Sequence, residues 1–296
     1  MTAVEIREVG PRDGLQIEEP IPTEAKLALL EALAATGVRR IEATSFVSPR
    51  AVPALADAEA VAAELRRWPE VRFSALVAGM GGVRRALAAG VTDLEYVVSA
   101  SDGHSRANVG RDSAESIELI APIADLVHAA GGNLEVIVAI AFDCPFDGPT
   151  PPDRVAEIAR CAWDSGADEL CVADTIGTAT PGRTRDVLAR VITAVPETEP
   201  GVHLHDTRGQ GIANAWAAYD LGIRRFDASV GGLGGCPFAP GASGNIATEE
   251  LVYMFEDSGI ATGIDLDAAL DAARVAERLL GKPMPSRLLR AENTRR

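Results

Sequence analysis

Lysine is nearly absent from this chain: Lys26 and Lys282 are the only two. One falls in the first helical stretch and the other near the C-terminus, and neither sits at the end of a predicted strand. That placement argues against a Schiff-base aldolase, which needs an amine at the reacting carbonyl. Positive charge is scarce in general. A formal net charge of -15 leaves no basic footprint for a nucleic-acid binder, although a few local arginines can still hold a phosphorylated ligand. The four cysteines (Cys144, Cys161, Cys171 and Cys236) show no CxxC spacing and read as reduced thiols. No apolar run approaches the ~20 residues needed to cross a bilayer. Neither a secretory leader nor an Arg-rich presequence is legible ahead of Val4. The expectation is a cytoplasmic protein with no nucleic-acid and no membrane partner.

What the chain does have is alternation. Short β-branched runs fall at Val4–Val9, Arg40–Thr44, Val71–Val77, Asp93–Val98, Glu135–Ala141, Glu169–Ala173, Gly201–His205 and Arg225–Ser229. Between them lie helical stretches: Glu24–Thr36, Ala58–Arg67, Val83–Ala89, Ser113–Ala130, Arg154–Ser165, Gly182–Val195 and Ile212–Asp220. Pro152-Asp153 and Thr180-Pro181 mark helix starts, and Gly37, Gly90, Gly131 and Gly166 mark helix ends. Eight strands alternating with helices predict an α/β fold, a (β/α)₈ TIM barrel with additional C-terminal helices. A doubly wound open sheet is the rival. It would carry a nucleotide-binding glycine turn after the first strand, which Gly10-Pro11-Arg12-Asp13-Gly14 does not match. The reading is a single catalytic domain over 1–296. The barrel covers about 4–247, C-terminal helices about 248–283, and a loose tail 284–296.

In a parallel barrel the chemistry lies at the C-terminal ends of the strands. Polar residues are dense there: Arg12-Asp13 after the first strand, Glu42 on the second, Asp174 after the sixth, and His203-Leu204-His205-Asp206 closing the seventh. His203 and His205, two apart on a strand, point to one side, and two imidazoles beside a carboxylate suit a divalent cation. A lone strand histidine is more often a hydrogen-bonded core residue; the His-x-His-Asp pattern favours the metal. After the eighth strand comes a glycine-rich stretch, Gly231 to Asn245, with one thiol and one amide. It is long for a plain connection in this fold and has the permissive composition of a lid.

These residues carry a resemblance. Glu8-Val9-Gly10-Pro11-Arg12-Asp13-Gly14-Leu15-Gln16, Glu42-Ala43-Thr44-Ser45-Phe46-Val47-Ser48-Pro49, Asp174-Thr175-Ile176-Gly177, His203-Leu204-His205-Asp206 and the loop Gly231 to Asn245 closely resemble the 3-hydroxy-3-methylglutaryl-CoA lyase family, in the same order. The resemblance spans about Val4 to Gly263. It implies that Asp13, His203, His205 and Asn245 bind Mg²⁺ or Mn²⁺. It implies a retro-Claisen cleavage to acetyl-CoA and acetoacetate, with the substrate hydroxyl proton passing to His203 and Arg12 steadying the enolate oxygen. Cys236 is similar to the family's loop cysteine that assists proton transfer. Glu42 and Asp174 look like site residues that orient Arg12, a ligand or the substrate. Candidate substrate contacts are Arg12, Gln16, Asn108 and Thr175. An acyl-CoA ligand, a homodimer and a place in leucine breakdown or another acyl-CoA route go with the resemblance.

Two segments depart from the family pattern. Ser99 to Asn108 keeps its frame but lacks the expected Glu-x-Phe, and Ala141-Phe142-Asp143 differs just before Cys144-Pro145. Both follow barrel strands, so they bear on the acyl group rather than on the metal. A citramalyl-CoA lyase would keep every ligand. A Claisen-type synthase acting on a 2-oxo acid is a further alternative, as is a non-catalytic metal-binding barrel; the long loop and short C-terminus disfavour the synthase. His104 and His128 read by default as packing or surface residues, His128 within a helix; His104 shares a strand-end loop with Arg106, a candidate phosphate contact, which leaves a substrate contact open as its alternative.

Overall fold

The computed structural model describes residues 3–235 and 244–293. The strands are β1 Glu5–Glu8, β2 Arg40–Ser45, β3 Arg72–Val77, β4 Asp93–Ser99, β5 Leu134–Ala139, β6 Asp143–Cys144, β7 Gly148–Pro149, β8 Glu169–Asp174, β9 Gly201–Leu204 and β10 Arg225–Ala228. Eight of them close into a parallel barrel in the order β1-β10-β9-β8-β5-β4-β3-β2, with β1 against β2. The open-sheet alternative is excluded. β6 and β7 form a small antiparallel hairpin after β5, which the sequence reading did not anticipate.

The helices are α1 Thr23–Ala34, α2 Ala58–Glu64, α3 Met80–Ala88, α4 Asp102–Val109, α5 Ser113–Glu118, α6 Ile120–Ala129, α7 Pro152–Asp164, α8 Pro181–Ala194, α9 Gly211–Asp220, α10 Thr248–Asp257, α11 Leu266–Leu280 and α12 Arg287–Asn293. Gly37, Gly90, Gly131 and Gly166 all adopt positive φ, as helix-ending glycines do. Thr180 occupies the N-cap position of α8, but its side chain makes no capping bond; Pro181 at the first turn sets the start.

Three expectations need correction. The single helix expected over 113–130 is broken at Leu119 into α5 and α6. The segment after β4, expected as a loop, is helix α4, because Ser101 caps it by accepting the His104 N–H. The tail expected to be loose from 284 onward is folded through 293. Met284 and Leu289 are fully buried, the Ser286 N–H donates to Gly231 O at 3.0 Å, and Arg287 on α12 pairs with Asp206 at 2.8 Å. Arginine in a tail reads as solvated until a carboxylate on another element is seen beside it.

The main core lies between strands and helices, while the barrel's interior is largely ionic. Arg7 on β1 sits inside with its Nε and Nη2 each 2.8 Å from Asp227 on β10. Its Nη1 lies 2.8 Å from Glu95 on β4 and pairs with Glu135 on β5. Above this layer a small apolar group, Val97, Ile137, Cys171 and Ala173, fills the interior. Burial works against the Arg7 charge, but Asp227, Glu135 and Glu95 outweigh it and hold the guanidinium protonated. Removing the cation would leave three carboxylates desolvated. Arg7→Met is expected to cost about 3–5 kcal/mol, read as a lowered midpoint in denaturant unfolding.

Glu8, one residue on, accepts hydrogen bonds from Gly10 N at 2.7 Å, Val230 N at 2.9 Å and Thr248 Oγ1 at 2.6 Å. Burial nevertheless pushes its carboxyl up to about 7. A raised folded-state pKa means that the stability this group contributes is present below the unfolded value near 4.5 and lost as pH rises through 7. Glu8→Gln is therefore expected to flatten the stability profile between pH 5 and 8 by an amount on the order of 3 kcal/mol, as measured by urea unfolding at stepped pH.

Candidate active site

β1 ends in a single π-helical turn, Gly10–Gly14. Val9 O accepts from both Asp13 N at 2.8 Å and Gly14 N at 3.2 Å. Gly10 is required by close approach: a Cβ there would come within 2.7 Å of Glu8 Oε1 and 3.1 Å of Ser229 Oγ. The wide turn places Arg12 and Asp13, both buried, over the barrel mouth. Such turns are frequent at functional sites.

Asp13 is held on both oxygens. Oδ1 accepts from Arg12 Nη1 at 2.7 Å and Gln16 Nε2 at 2.8 Å, and Oδ2 accepts from Asn245 Nδ2 at 2.7 Å. Oδ2 also faces His205 Nε2 at 3.7 Å and His203 Nε2 at 4.0 Å. Burial alone would raise this carboxyl, but Arg12 and the two imidazoles hold it well below the usual carboxylate range. Arg12 Nε lies 2.6 Å from Glu42 Oε1. The guanidinium stays charged because Glu42 and Asp13 together outweigh its desolvation.

His203 lies on β9 and His205 just beyond it, where a β-bridge joins His205 to Asn245. Further backbone bonds, Asp206 N to Gly244 O and Ile246 N to Leu204 O, both 3.1 Å, bind the end of the glycine-rich loop to β9. The two rings do share a side, with Nε2 atoms 3.1 Å apart. His203 Nδ1 lies 3.1 Å from Asp227 Oδ2. That carboxylate draws the imidazole proton to Nδ1 and turns the Nε2 lone pair toward Asp13 and His205. Burial works against the Asp227 charge, but Arg7 and the His203 contact hold its carboxyl below the usual range.

The arrangement fits a divalent cation. One ligand atom each from Asp13, His203 and His205 lies within 4.8 Å of the others, all three residues being buried. Two imidazole Nε2 atoms 3.1 Å apart match the roughly 3 Å edge of an octahedron with bonds near 2.1 Å. Asn245 Oδ1 is buried with no hydrogen-bond partner among the described residues, an acceptor available to the same ion.

The remaining candidates divide. Gln16 joins the cluster through Asp13, and Glu42 through Arg12. Asp174 spends both oxygens on the turn after β8, accepting from Thr178 N at 2.9 Å and Ala179 N at 3.0 Å. Thr175 Oγ1 accepts from Ile140 N at 2.8 Å, steadying a β-branched residue with φ of 60°. Asn108 is exposed on α4 rather than in the buried cluster. Cys236 lies outside the described residues. His128 is in α6 and bonds Asp168 at 2.9 Å. The sequence reading missed Asp227 and Arg7. Their only signal was a charged residue within a strand, and both strands carry others, Glu5 and Glu8 in β1 and Arg225 in β10.

A closed (β/α)₈ barrel with a carboxylate, two imidazoles, an amide and a guanidinium at its C-terminal pole defines an enzyme scaffold with a residue group that could hold a cation. The chain belongs to the HMGL-like family, whose model matches residues 3–276. It is 40% identical over 287 residues to a hydroxymethylglutaryl-CoA lyase of Bacillus subtilis, covering 97% of this chain and 96% of that one. It is 43% identical over 297 residues to an (R)-citramalyl-CoA lyase of Chloroflexus aurantiacus, covering 97% and 94%. In structure it resembles an HMG-CoA lyase from Acinetobacter baumannii in complex with coenzyme A and 3-methylmalate, with a TM-score of 0.93, 41% identity and coverage of 98% and 95%.

If Asp227 sets the His203 tautomer, Asp227→Asn should weaken Mn²⁺ binding about 10–100-fold, and His205→Ala should weaken it at least as much. Calorimetric titration giving wild-type affinity for His205→Ala would remove that residue from the ligand set.

Proposed function

We propose that the protein is a carbon–carbon lyase that cleaves 3-hydroxy-3-methylglutaryl-CoA to acetyl-CoA and acetoacetate with Mg²⁺ or Mn²⁺. The observation that carries this reading is the convergence of Asp13, His203, His205 and Asn245 beside the Arg12–Glu42 pair, in a chain that is 40% identical to a hydroxymethylglutaryl-CoA lyase. A divalent cation held by Asp13, His203, His205 and Asn245 supplies Lewis acidity that lowers the pKa of the substrate's C3 hydroxyl.

The protein's own groups then divide the work. With Nδ1 facing Asp227, His203 has one lone pair, at Nε2, which is the atom that would hold a cation or receive a proton. It takes the C3 hydroxyl proton, and Asp227 stabilises the resulting imidazolium. The C2–C3 bond breaks as C3 becomes the ketone of acetoacetate, and its electron pair passes to the enolate of acetyl-CoA. Arg12, with Nε 2.6 Å from Glu42 and Nη1 on Asp13, has Nη2 left among the described residues to donate to the enolate oxygen. Protonation at C2 completes the products, and Cys236 on the glycine-rich loop is assigned to that transfer. Gln16 and Glu42 act by fixing Asp13 and Arg12. The proposal extends to a homodimer in the cytoplasm, working on acyl-CoA from leucine breakdown.

A second reading, a citramalyl-CoA lyase, is favoured by the similarity to the Chloroflexus enzyme. Mass spectrometry of products with Mg²⁺ separates the two. Acetoacetate from 3-hydroxy-3-methylglutaryl-CoA supports the first, whereas pyruvate from citramalyl-CoA alone moves the specificity and keeps the chemistry. Arg12→Gln should cut turnover about 10²–10³-fold while leaving Mn²⁺ affinity nearly intact; an unchanged kcat would take Arg12 out of the mechanism.

A further inference from the structure

The end of β5 breaks the regular ladder of the barrel. β5 runs in register with β8 up to Val138, opposite Val172, and the Ala139 carbonyl turns to β4, accepting from Ala100 N at 2.9 Å. Successive residues of a strand bond to opposite neighbours, so residue 140 should donate next to β8, at the Ala173 carbonyl. Ala141 N takes that carbonyl instead, at 3.1 Å. Ile140 is therefore the extra residue of a β-bulge, a device that recurs beside active sites. Its φ is 60°, and no other non-glycine residue among those described has positive φ. Glycine adopts that conformation freely, whereas a β-branched residue is strained in it. Ile140 is buried, yet it joins neither the strand–helix core nor the interior group, while Ala141 joins the first. Apolar packing therefore does not account for the bulge.

Two hydroxyls clamp it. Thr150 Oγ1, just past the β6–β7 hairpin, donates to Ile140 O at 2.7 Å, and Ile140 N donates to Thr175 Oγ1 at 2.8 Å. A backbone N–H can only donate, so the Thr175 oxygen is the acceptor and its own O–H points elsewhere. Among the described residues that O–H meets no acceptor. β8 pairs with β9 at Ala173–His203 and Asp174–Leu204. The next step of that register sets Thr175 beside His205, one strand spacing of about 4.8 Å away. Ala173 faces the barrel interior, and Thr175, two residues on, continues that face.

We propose that the Ile140 bulge, braced by Thr150, is a positioning element of the lyase reaction: it commits the Thr175 hydroxyl to donate to an oxygen of the acyl group bound beside His205. This rests on the lyase reading above, and either substrate satisfies it, since both thioesters carry a hydroxyl on C3 and a carboxylate close to it. A regular ladder would give the Ile140 N–H to Ala173 O and release Thr175, which is why the strained conformation is kept. Ile140 and Thr150 are positioning residues that act through Thr175.

Steady-state kinetics on both thioesters with Mg²⁺, paired with calorimetric Mn²⁺ titration of the same variants, tests it. One hydrogen bond to a substrate oxygen corresponds to about 10-fold in affinity. Thr175→Val should raise KM by that factor with kcat changed less than threefold, the pattern of an interaction made equally before and during the reaction. Thr175→Ser, which keeps the hydroxyl, should retain most of the affinity. Thr150→Val, or Thr150→Ala where the valine does not fold, should raise KM in the same sense, and Thr150→Ser should restore it. Combined with Thr175→Val, the Thr150 substitution should add nothing further. Mn²⁺ affinity should stay within threefold of wild type throughout. A wild-type KM without the Thr150 hydroxyl, additive effects of the two substitutions, or Mn²⁺ affinity falling in step with the rise in KM would overturn the assignment, the last by placing the damage at the cation ligands. A wild-type enzyme that cleaves neither thioester sinks the lyase reading and this inference with it.

Discussion

The Asp227 carboxylate is the interaction on which the site depends. One of its oxygens meets Arg7 Nη2 at 2.8 Å and His203 Nδ1 at 3.1 Å. A histidine at the centre of a parallel barrel has no intrinsic reason to keep its proton on one nitrogen; the carboxylate beneath supplies that reason. The carboxylate in turn stays ionised in a buried interior because Arg7 lies against it. Arg7 is shared with Glu95 and Glu135, so four strands of the barrel are tied to the orientation of one imidazole. Branched apolar layers usually fill such interiors. Here an ionic layer takes that place and carries the orientation of the mouth.

The second support is the π-helical turn after β1. An ordinary helical turn would direct Arg12 and Asp13 differently, and the wider turn lets Asp13 meet Asn245 from the far end of the chain at 2.7 Å. The C-terminal segment secures that far end. Met284 fills the space against Gly231, where a Cβ would lie 2.6 Å from its Cγ, and Glu249 accepts from Gly231 N at 3.0 Å. Helix α10 and the segment between α11 and α12 thereby hold Gly231 at the start of the stretch that ends in Asn245.

Much of this was legible in the sequence. All eight barrel strands fall within two residues of where β-branched runs placed them, because each run is short and four of them follow helix-ending glycines at Gly37, Gly90, Gly131 and Gly166. The convergence of Asp13, His203 and His205 was legible because they lie at or just beyond the C-terminal ends of strands, in a fold whose strand ends converge. Asp227 and Arg7 were not, since a charged residue inside a strand looks the same whether it faces solvent or a partner across the barrel. α4 was hidden because Asp102-Gly103-His104 has poor helix propensity, which the Ser101 cap overrides. Asp174 and Thr175 matched the family's pattern, yet their hydrogen bonds serve backbone geometry at the mouth, a distinction only coordinates reveal.

The central claim is that Asp13, His203, His205 and Asn245 form one cation site beneath which Asp227 fixes a tautomer. Crystals of the protein soaked in Mn²⁺, with data collected at the manganese edge, test it directly. The account predicts one strong anomalous peak within about 2.0–2.3 Å of a carboxylate oxygen of Asp13 and the Nε2 atoms of both histidines, with Asn245 Oδ1 turned toward it. A peak elsewhere, or none at an occupancy that saturates binding in solution, would contradict it.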